Sequence, residues 1–208
     1  MFVVLDGVDG CGKTTQAERL TAALRARGRE VLHVREPGTT QVGERLRALL
    51  LDPALELSAP VETLLFAAAR RQMLDEVVAP ALAGGADVVC ERFHASTFAY
   101  QGYAGELDAE AVLALLRGWS TVPAPDLELI FTLDVAESLR RRGPASDRIE
   151  AKGEAYLRAV AEGYQAYAAR PDVAAVAVDA GADANLVAER VWAAVAPLLG
   201  VDRSRSGA

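Results

Sequence analysis

Short unbroken apolar runs alternate with longer stretches whose apolar positions recur at helical spacing. Phe2-Val3-Val4-Leu5 reads as a buried strand, and a helix is expected from Lys13 to Arg27, with Gly28 as its stop. Glu30 to Val34 is a second strand. Val42–Leu51 and Ala59–Leu82 read as helices, the second opening at Ser58-Ala59-Pro60, where proline suits a first turn. Asp87 to Cys90 is a third strand, 108–118 a helix, and Leu127 to Leu133 a fourth strand. Helices are expected at 136–142 and 151–169, a fifth strand at Val173–Val178, and a last helix at 183–199. This alternation predicts a parallel sheet with helices on both faces. Its strands are continuous apolar runs, as strands covered on both sides should be. No repeat, linker or low-complexity segment interrupts residues 1–200, which read as one domain, and 201–208 (VDRSRSGA) read as a disordered tail.

Composition narrows the chemistry. Hydrophobic residues make up 51% of 208, which supplies a core and excludes disorder. The net charge of −7 argues against nucleic acid and anionic membrane as partners, so phosphate recognition would need a local cluster. Two cysteines, Cys11 and Cys90, are too few for a disulfide scaffold. No signal-peptide pattern or membrane-length apolar run is visible, so the expectation is a soluble cytoplasmic protein. Only Lys13 and Lys152 among the 22 basic residues are lysines, so a motif that needs a lysine must use one of them.

Gly7-Val8-Asp9-Gly10-Cys11-Gly12-Lys13-Thr14 matches the phosphate-binding pattern G-x-x-x-x-G-K-[ST] in full. It lies between a strand and a helix, the context that pattern requires. The glycines let the loop wrap oxygens closely, and backbone N–H groups at a helix N-terminus bind the anion. Lys13 would reach the β- and γ-phosphates of ATP, and Thr14 would offer its hydroxyl to Mg²⁺, with Thr15 completing the ATP-binding stretch. The fold class expected is therefore α/β: a three-layer P-loop NTPase fold with a five-stranded parallel sheet. A guanine-reading N/T-K-x-D motif is absent, since Lys13 and Lys152 are followed by Thr14-Thr15 and Gly153-Glu154. Arg35 and Arg92 leave the carboxyl ends of the second and third strands, the edge where such sheets bind ligands. Their fixed fork of donors suits a second phosphate. Phe66 and Arg70 stand four residues apart and share a helix face; Phe66 taken alone reads as core. Arg140, Arg141, Arg142 and Arg148 crowd nine residues around Gly143-Pro144, a pattern that reads as a mobile lid over about 140–152.

Together GVDGCGKTT (7–15), REPG (35–38), LLFAAAR (64–70), ERFHASTFAYQG (91–102) and DRIE (147–150) resemble the bacterial thymidylate kinases over nearly the whole chain. The resemblance implies ATP-dependent phosphorylation of dTMP to dTDP with Mg²⁺, by a homodimer. It implies that Asp9 contacts the sugar 3′-hydroxyl and that Arg35 and Arg92 hold the acceptor phosphate. Phe66 would stack on thymine, Arg70 would bond a thymine carbonyl, and Ser96, Thr97, Tyr100 and Gln101 would contact base and sugar. Arg92 would also act in catalysis. Gly10 stands where one subgroup carries an arginine, so Arg142 and Arg148 of the lid would supply that charge. Glu91 replaces the usual aspartate near Mg²⁺, Thr39 a usual glycine, and Phe93 a common tyrosine. The resemblance also suggests a cis Glu36-Pro37 bond. Asp134 reads as a helix cap, and His33 and His94 as structural residues, with no zinc site. Another nucleoside monophosphate kinase and a nucleotide-dependent switch remain alternatives.

Overall fold

The computed structural model describes residues 1–144 and 147–200; the expected tail at 201–208 lies outside them. Five parallel strands are β1 (Phe2–Gly7), β2 (Val31–Arg35), β3 (Asp87–Glu91), β4 (Leu127–Thr132) and β5 (Ala175–Asp179), in the order β2-β3-β1-β4-β5. Every residue of the central strand β1 is buried. Phe2 and Val4 pack with Met73, Leu74, Val78 and Phe93, while Val3 and Leu5 join Leu20, Leu24 and Tyr164. The period-two alternation of a strand thus feeds two separate clusters.

The helices are α1 (Lys13–Arg25), α2 (Gln41–Leu51), α3 (Ala59–Met73), α4 (Ala79–Ala83), α5 (His94–Thr97), α6 (Ala109–Trp119), α7 (Val135–Arg142), α8 (Glu154–Ala168) and α9 (Ala184–Val195). Side chains of Thr40, Asp108, Asp134 and Asp183 accept from first-turn amides and cap α2, α6, α7 and α9. Asp134 is therefore the cap it was expected to be.

Four expectations need correction. The single helix over 59–82 is interrupted by a wider π turn at Leu74–Val78. Residues 94–103, given no element from sequence, form α5 followed by a π-helical turn at Phe98–Tyr103. Nearly all of this segment is buried, so it shows no polar face and no helical period. The helix expected over 151–169 begins only at Glu154: a 3₁₀ turn at Glu150–Lys152 ends at Gly153, whose φ of 89° breaks the run. The last helix likewise stops at Val195 and tightens into a 3₁₀ turn near Pro197. Glu36-Pro37 is cis, as is Val122-Pro123.

Candidate functional site

The carboxyl ends of β1, β2 and β3 meet at one edge, where Leu5 and Arg35 both pair with Glu91. There the phosphate loop runs from Gly7 into α1. Gly12 (φ 91°) turns the chain into the helix, and a Cβ at Gly7 would lie 2.5 Å from the Phe131 carbonyl. Lys13 folds back over the loop, its Nζ donating to the Gly7 and Val8 carbonyls at 2.8 Å each and lying 3.8 Å from Asp9.

Next to Lys13, the Thr14 hydroxyl donates to Glu91 Oε2, and Glu91 Oε1 lies 3.0 Å from His33 Nε2. Burial pushes the Glu91 carboxyl up, but the His33 and Thr14 hydrogen bonds and the Lys13 charge bring it net below its ordinary value. Asp9 shows the same contest. Burial raises it, yet Arg92 and Lys13, with the Tyr100 hydroxyl at 3.1 Å, hold its carboxyl at about 2.

Arg92 adopts a left-handed backbone (φ 70°) at the end of β3 and forms an ion pair with Asp9. Its Nη1 also reaches Ser96 Oγ at 3.1 Å and Tyr164 at 3.4 Å. Beneath them the buried carboxylate of Asp6 accepts from the amides of Phe93 and Ser96 and from the hydroxyls of Ser96 and Tyr164. On β2, Arg35 is exposed and faces Glu44 at 4.0 Å. Thr39 holds the following turn at φ 70°; its hydroxyl donates to the Arg35 carbonyl at 2.9 Å.

At the far end Arg70 is only 1% exposed. Its Nε donates to both oxygens of Glu36 (2.9 and 2.8 Å), and Nη2 donates to the Phe93 carbonyl and to Thr97. Among the described residues Nη1 is buried with no hydrogen-bond partner. Phe66, half-buried one turn earlier, packs at the edge of the larger core cluster.

A cleft of about 500 Å³ joins these parts. Of the residues expected from sequence, Asp9, Gly10, Gly12, Lys13, Thr14, Thr15, Arg35, Phe66, Arg70, Glu91, Arg92, Ser96, Thr97, Tyr100 and Gln101 line it. Gly7, Val8 and Cys11 form the buried floor of the loop instead. Neither arginine proposed for the lid is among the lining residues. Arg142 reaches the Gly143 and Glu150 carbonyls, and Arg148 pairs with buried Glu62 and the Leu50 carbonyl. Arg141, not singled out from sequence, lines the cleft in their stead, with Arg47 of α2 and Glu36. Glu36 lies inside REPG but was given no role there, and Arg47, nine residues beyond that segment, carried no signal; Asp6 directly follows the apolar run Phe2–Leu5, the one clue that it serves as a buried acceptor. His94, stacked on Phe93 and 2.8 Å from the Ser120 carbonyl, is structural as expected; His33 instead joins the site through Glu91.

The cleft is lined by the phosphate loop, by Arg35 and Arg92, and by Phe66, Arg70, Thr97 and Gln101. The profile of the family described as thymidylate kinase matches residues 5–191. The chain belongs to the thymidylate kinase family. Relatives named thymidylate kinase include that of Gluconobacter oxydans (strain 621H), 43% identical over 200 residues and covering 94% of each chain. That of Pelotomaculum thermopropionicum is 42% identical over 190 residues, 89% of this chain and 88% of the relative. That of Gloeobacter violaceus is 41% identical over 209 residues, 99% of each. Family membership makes the chain a nucleotide kinase on the P-loop NTPase fold, and the parallel sheet with its phosphate loop agrees.

Proposed function

We propose that this enzyme transfers the γ-phosphoryl group of ATP to dTMP, giving ADP and dTDP. The observation that carries the reading is the composition of the cleft of about 500 Å³. A phosphate loop stands at one end, and at the other Phe66 and Arg70, whose Nη1 is a buried donor with no hydrogen-bond partner among the described residues. A guanidinium nitrogen left over on a residue that lines a ligand-sized cleft suits a carbonyl of a pyrimidine base. Phe66 offers the base a flat apolar surface, and Thr97 and Gln101 lie alongside. The nearby arginines Arg35 and Arg92 suit the acceptor phosphate. Asp9, ionised and held between Arg92 and Tyr100, would accept from a sugar hydroxyl.

An acceptor phosphate oxygen is already anionic near neutral pH, so no general base is required. The protein's work is to align two polyanions, offset their repulsion and exclude water. Lys13 would move from the loop carbonyls to phosphate oxygens, and Arg92 and the 140–152 segment would add positive charge as transfer proceeds. Among the described residues no group of three or more His, Cys, Asp or Glu is placed to hold a metal. The adjacent oxygens of Thr14 and Glu91 fit Mg²⁺ instead, which takes one or two protein oxygens and completes its shell with phosphates and water. Bound there, the cation would offset charge on the nucleotide phosphates.

A homodimer is part of the proposal. Leu49 of α2, Val61 and Leu64 of α3 and Trp119 of α6 are exposed apolar side chains, and α3 contacts both α2 and α6. Among the described residues no helix is long and apolar enough to cross a membrane, and Cys11 and Cys90 are buried and unpaired; a cytoplasmic setting fits both.

A coupled assay with ATP–Mg²⁺ and a panel of monophosphates tests the reaction. dTMP should be preferred by at least about tenfold in kcat/KM, ~1.4 kcal/mol. Equal rates on dCMP or AMP, or ATP hydrolysis indifferent to acceptor, would reject it. Lys13→Ala should lower kcat by at least about a hundredfold with the melting temperature little changed.

A further inference from the structure

His33 belongs to no part of the phosphate loop and is absent from the cleft lining, yet its ring is hydrogen-bonded to a residue that is. The sheet explains how. In the β2–β3 register Arg35 pairs with Glu91 and His33 with Val89, so His33 lies two residues back along β2 on the same face as Glu91. Diagonal neighbours of this kind meet when one side chain is long. A carboxylate accepts only, so the hydrogen bond requires His33 Nε2 to carry its proton. The Thr14 hydroxyl must likewise direct its proton at Glu91 Oε2, which leaves the lone pairs of that hydroxyl free. The three residues form one directed chain: His33 fixes one oxygen of Glu91, and the other orients Thr14.

We propose that His33 is a positioning residue that holds the Glu91 carboxylate against Thr14 and so sets the oxygen donors offered to a nucleotide-bound divalent cation. The proposal rests on the reading of Thr14 and Glu91 as the cation end of the cleft. Glutamate has three rotatable bonds, and without a second partner its carboxylate would sample positions away from Thr14. An outer partner that fixes such a group commonly governs cation affinity without touching the cation.

The test uses the full chain with ADP and Mn²⁺ as the probe, Mn²⁺ retention being read by electron paramagnetic resonance with no turnover. His33→Leu, which cannot donate, should weaken Mn²⁺ retention on the ADP-loaded enzyme roughly tenfold. It should raise the Mg²⁺ concentration needed for half-maximal turnover in parallel, with KM for dTMP changed less than about twofold. His33→Gln, whose amide can donate from a similar place, should recover most of the loss. In a Glu91→Ala background, which leaves His33 no side-chain acceptor at position 91, His33→Leu should add almost nothing. Unchanged Mn²⁺ retention in His33→Leu, or an equal loss with Glu91 already replaced, would overturn the proposal. Should His33→Leu fail to fold, His33→Phe replaces it in the same cycle. A wild-type enzyme that holds Mn²⁺–ADP in this His33-dependent way but ignores dTMP would overturn the substrate reading and leave the positioning role standing.

Discussion

The Arg70 guanidinium is buried among Glu36, the Phe93 carbonyl and Thr97 where it lines the cleft, and its remaining nitrogen, Nη1, is buried with no hydrogen-bond partner among the described residues. Burial pushes the Glu36 carboxyl up from its ordinary value, and the charge of Arg70 offsets part of that rise. From the expected contact of Arg70 with a thymine carbonyl, Arg70→Ala would mainly weaken dTMP binding. The ion pair changes that expectation, because the alanine variant strands a buried carboxylate, at about 3–5 kcal/mol. Arg70→Ala should therefore lose both dTMP affinity and melting temperature, with ATP affinity within about twofold of wild type. The double variant Arg70→Met/Glu36→Gln should regain much of the stability but not dTMP binding. Calorimetry and thermal denaturation on the two variants separate the effects. Phe66 and Arg70 were legible as a pair because i, i+4 spacing is a local rule. Glu36, 34 residues away in sequence, was not, since only the tertiary fold brings β2 against α3.

At the scale of elements, the phosphate loop and α7 are joined by a narrow seam. Ser138 Oγ donates to the Asp9 carbonyl, and a Cβ on Gly10 would lie 2.6 Å from the Ser138 carbonyl. Gly10 also holds a φ of 77°, where a side chain is strained at about 1–2 kcal/mol. Gly10→Ala should push α7 away from the loop, lowering kcat at least about tenfold with a smaller fall in melting temperature. Steady-state kinetics and a melt on one preparation check this. The same contact gives a physical reason why position 10 holds no arginine: the space is taken by the first helix of the arginine-rich segment. That segment was legible as a cluster of charge, but which arginine faces the cleft was not. Helical phase directs Arg141 to it, while the Glu62 pair draws Arg148 elsewhere. The helix at 94–103 was hidden for the opposite reason, since burial on every side erased its polar face.

Over the whole molecule, the sheet was the most legible part, because buried parallel strands leave long apolar runs in sequence. The exception inside β4 is Glu128. It is buried, with Oε1 accepting from Tyr167 at 2.8 Å and Oε2 without a partner. Burial pushes its carboxyl up to about 7 from 4.5, against the pull of the Tyr167 hydrogen bond. Between these values the native chain keeps a proton that the unfolded chain has released. The stability this proton confers is complete below about pH 4.5 and is lost as pH rises through about 7, roughly 3 kcal/mol. His94, lowered by burial to about 3, works in the opposite sense, losing stability as pH falls below about 6.5. The difference in melting temperature between wild type and Glu128→Gln isolates the first effect. It should favour the variant increasingly from pH 5 to pH 8. A final consequence concerns the lysines. Lys13 is 8% exposed and donates to its own loop, and Lys152 is paired with Glu62. Reagents that acylate amines will find neither side chain freely offered, so random amine coupling is a poor way to fix this enzyme to a surface. Any adduct that does form on Lys13 serves as a direct reporter of the loop that grips the nucleotide.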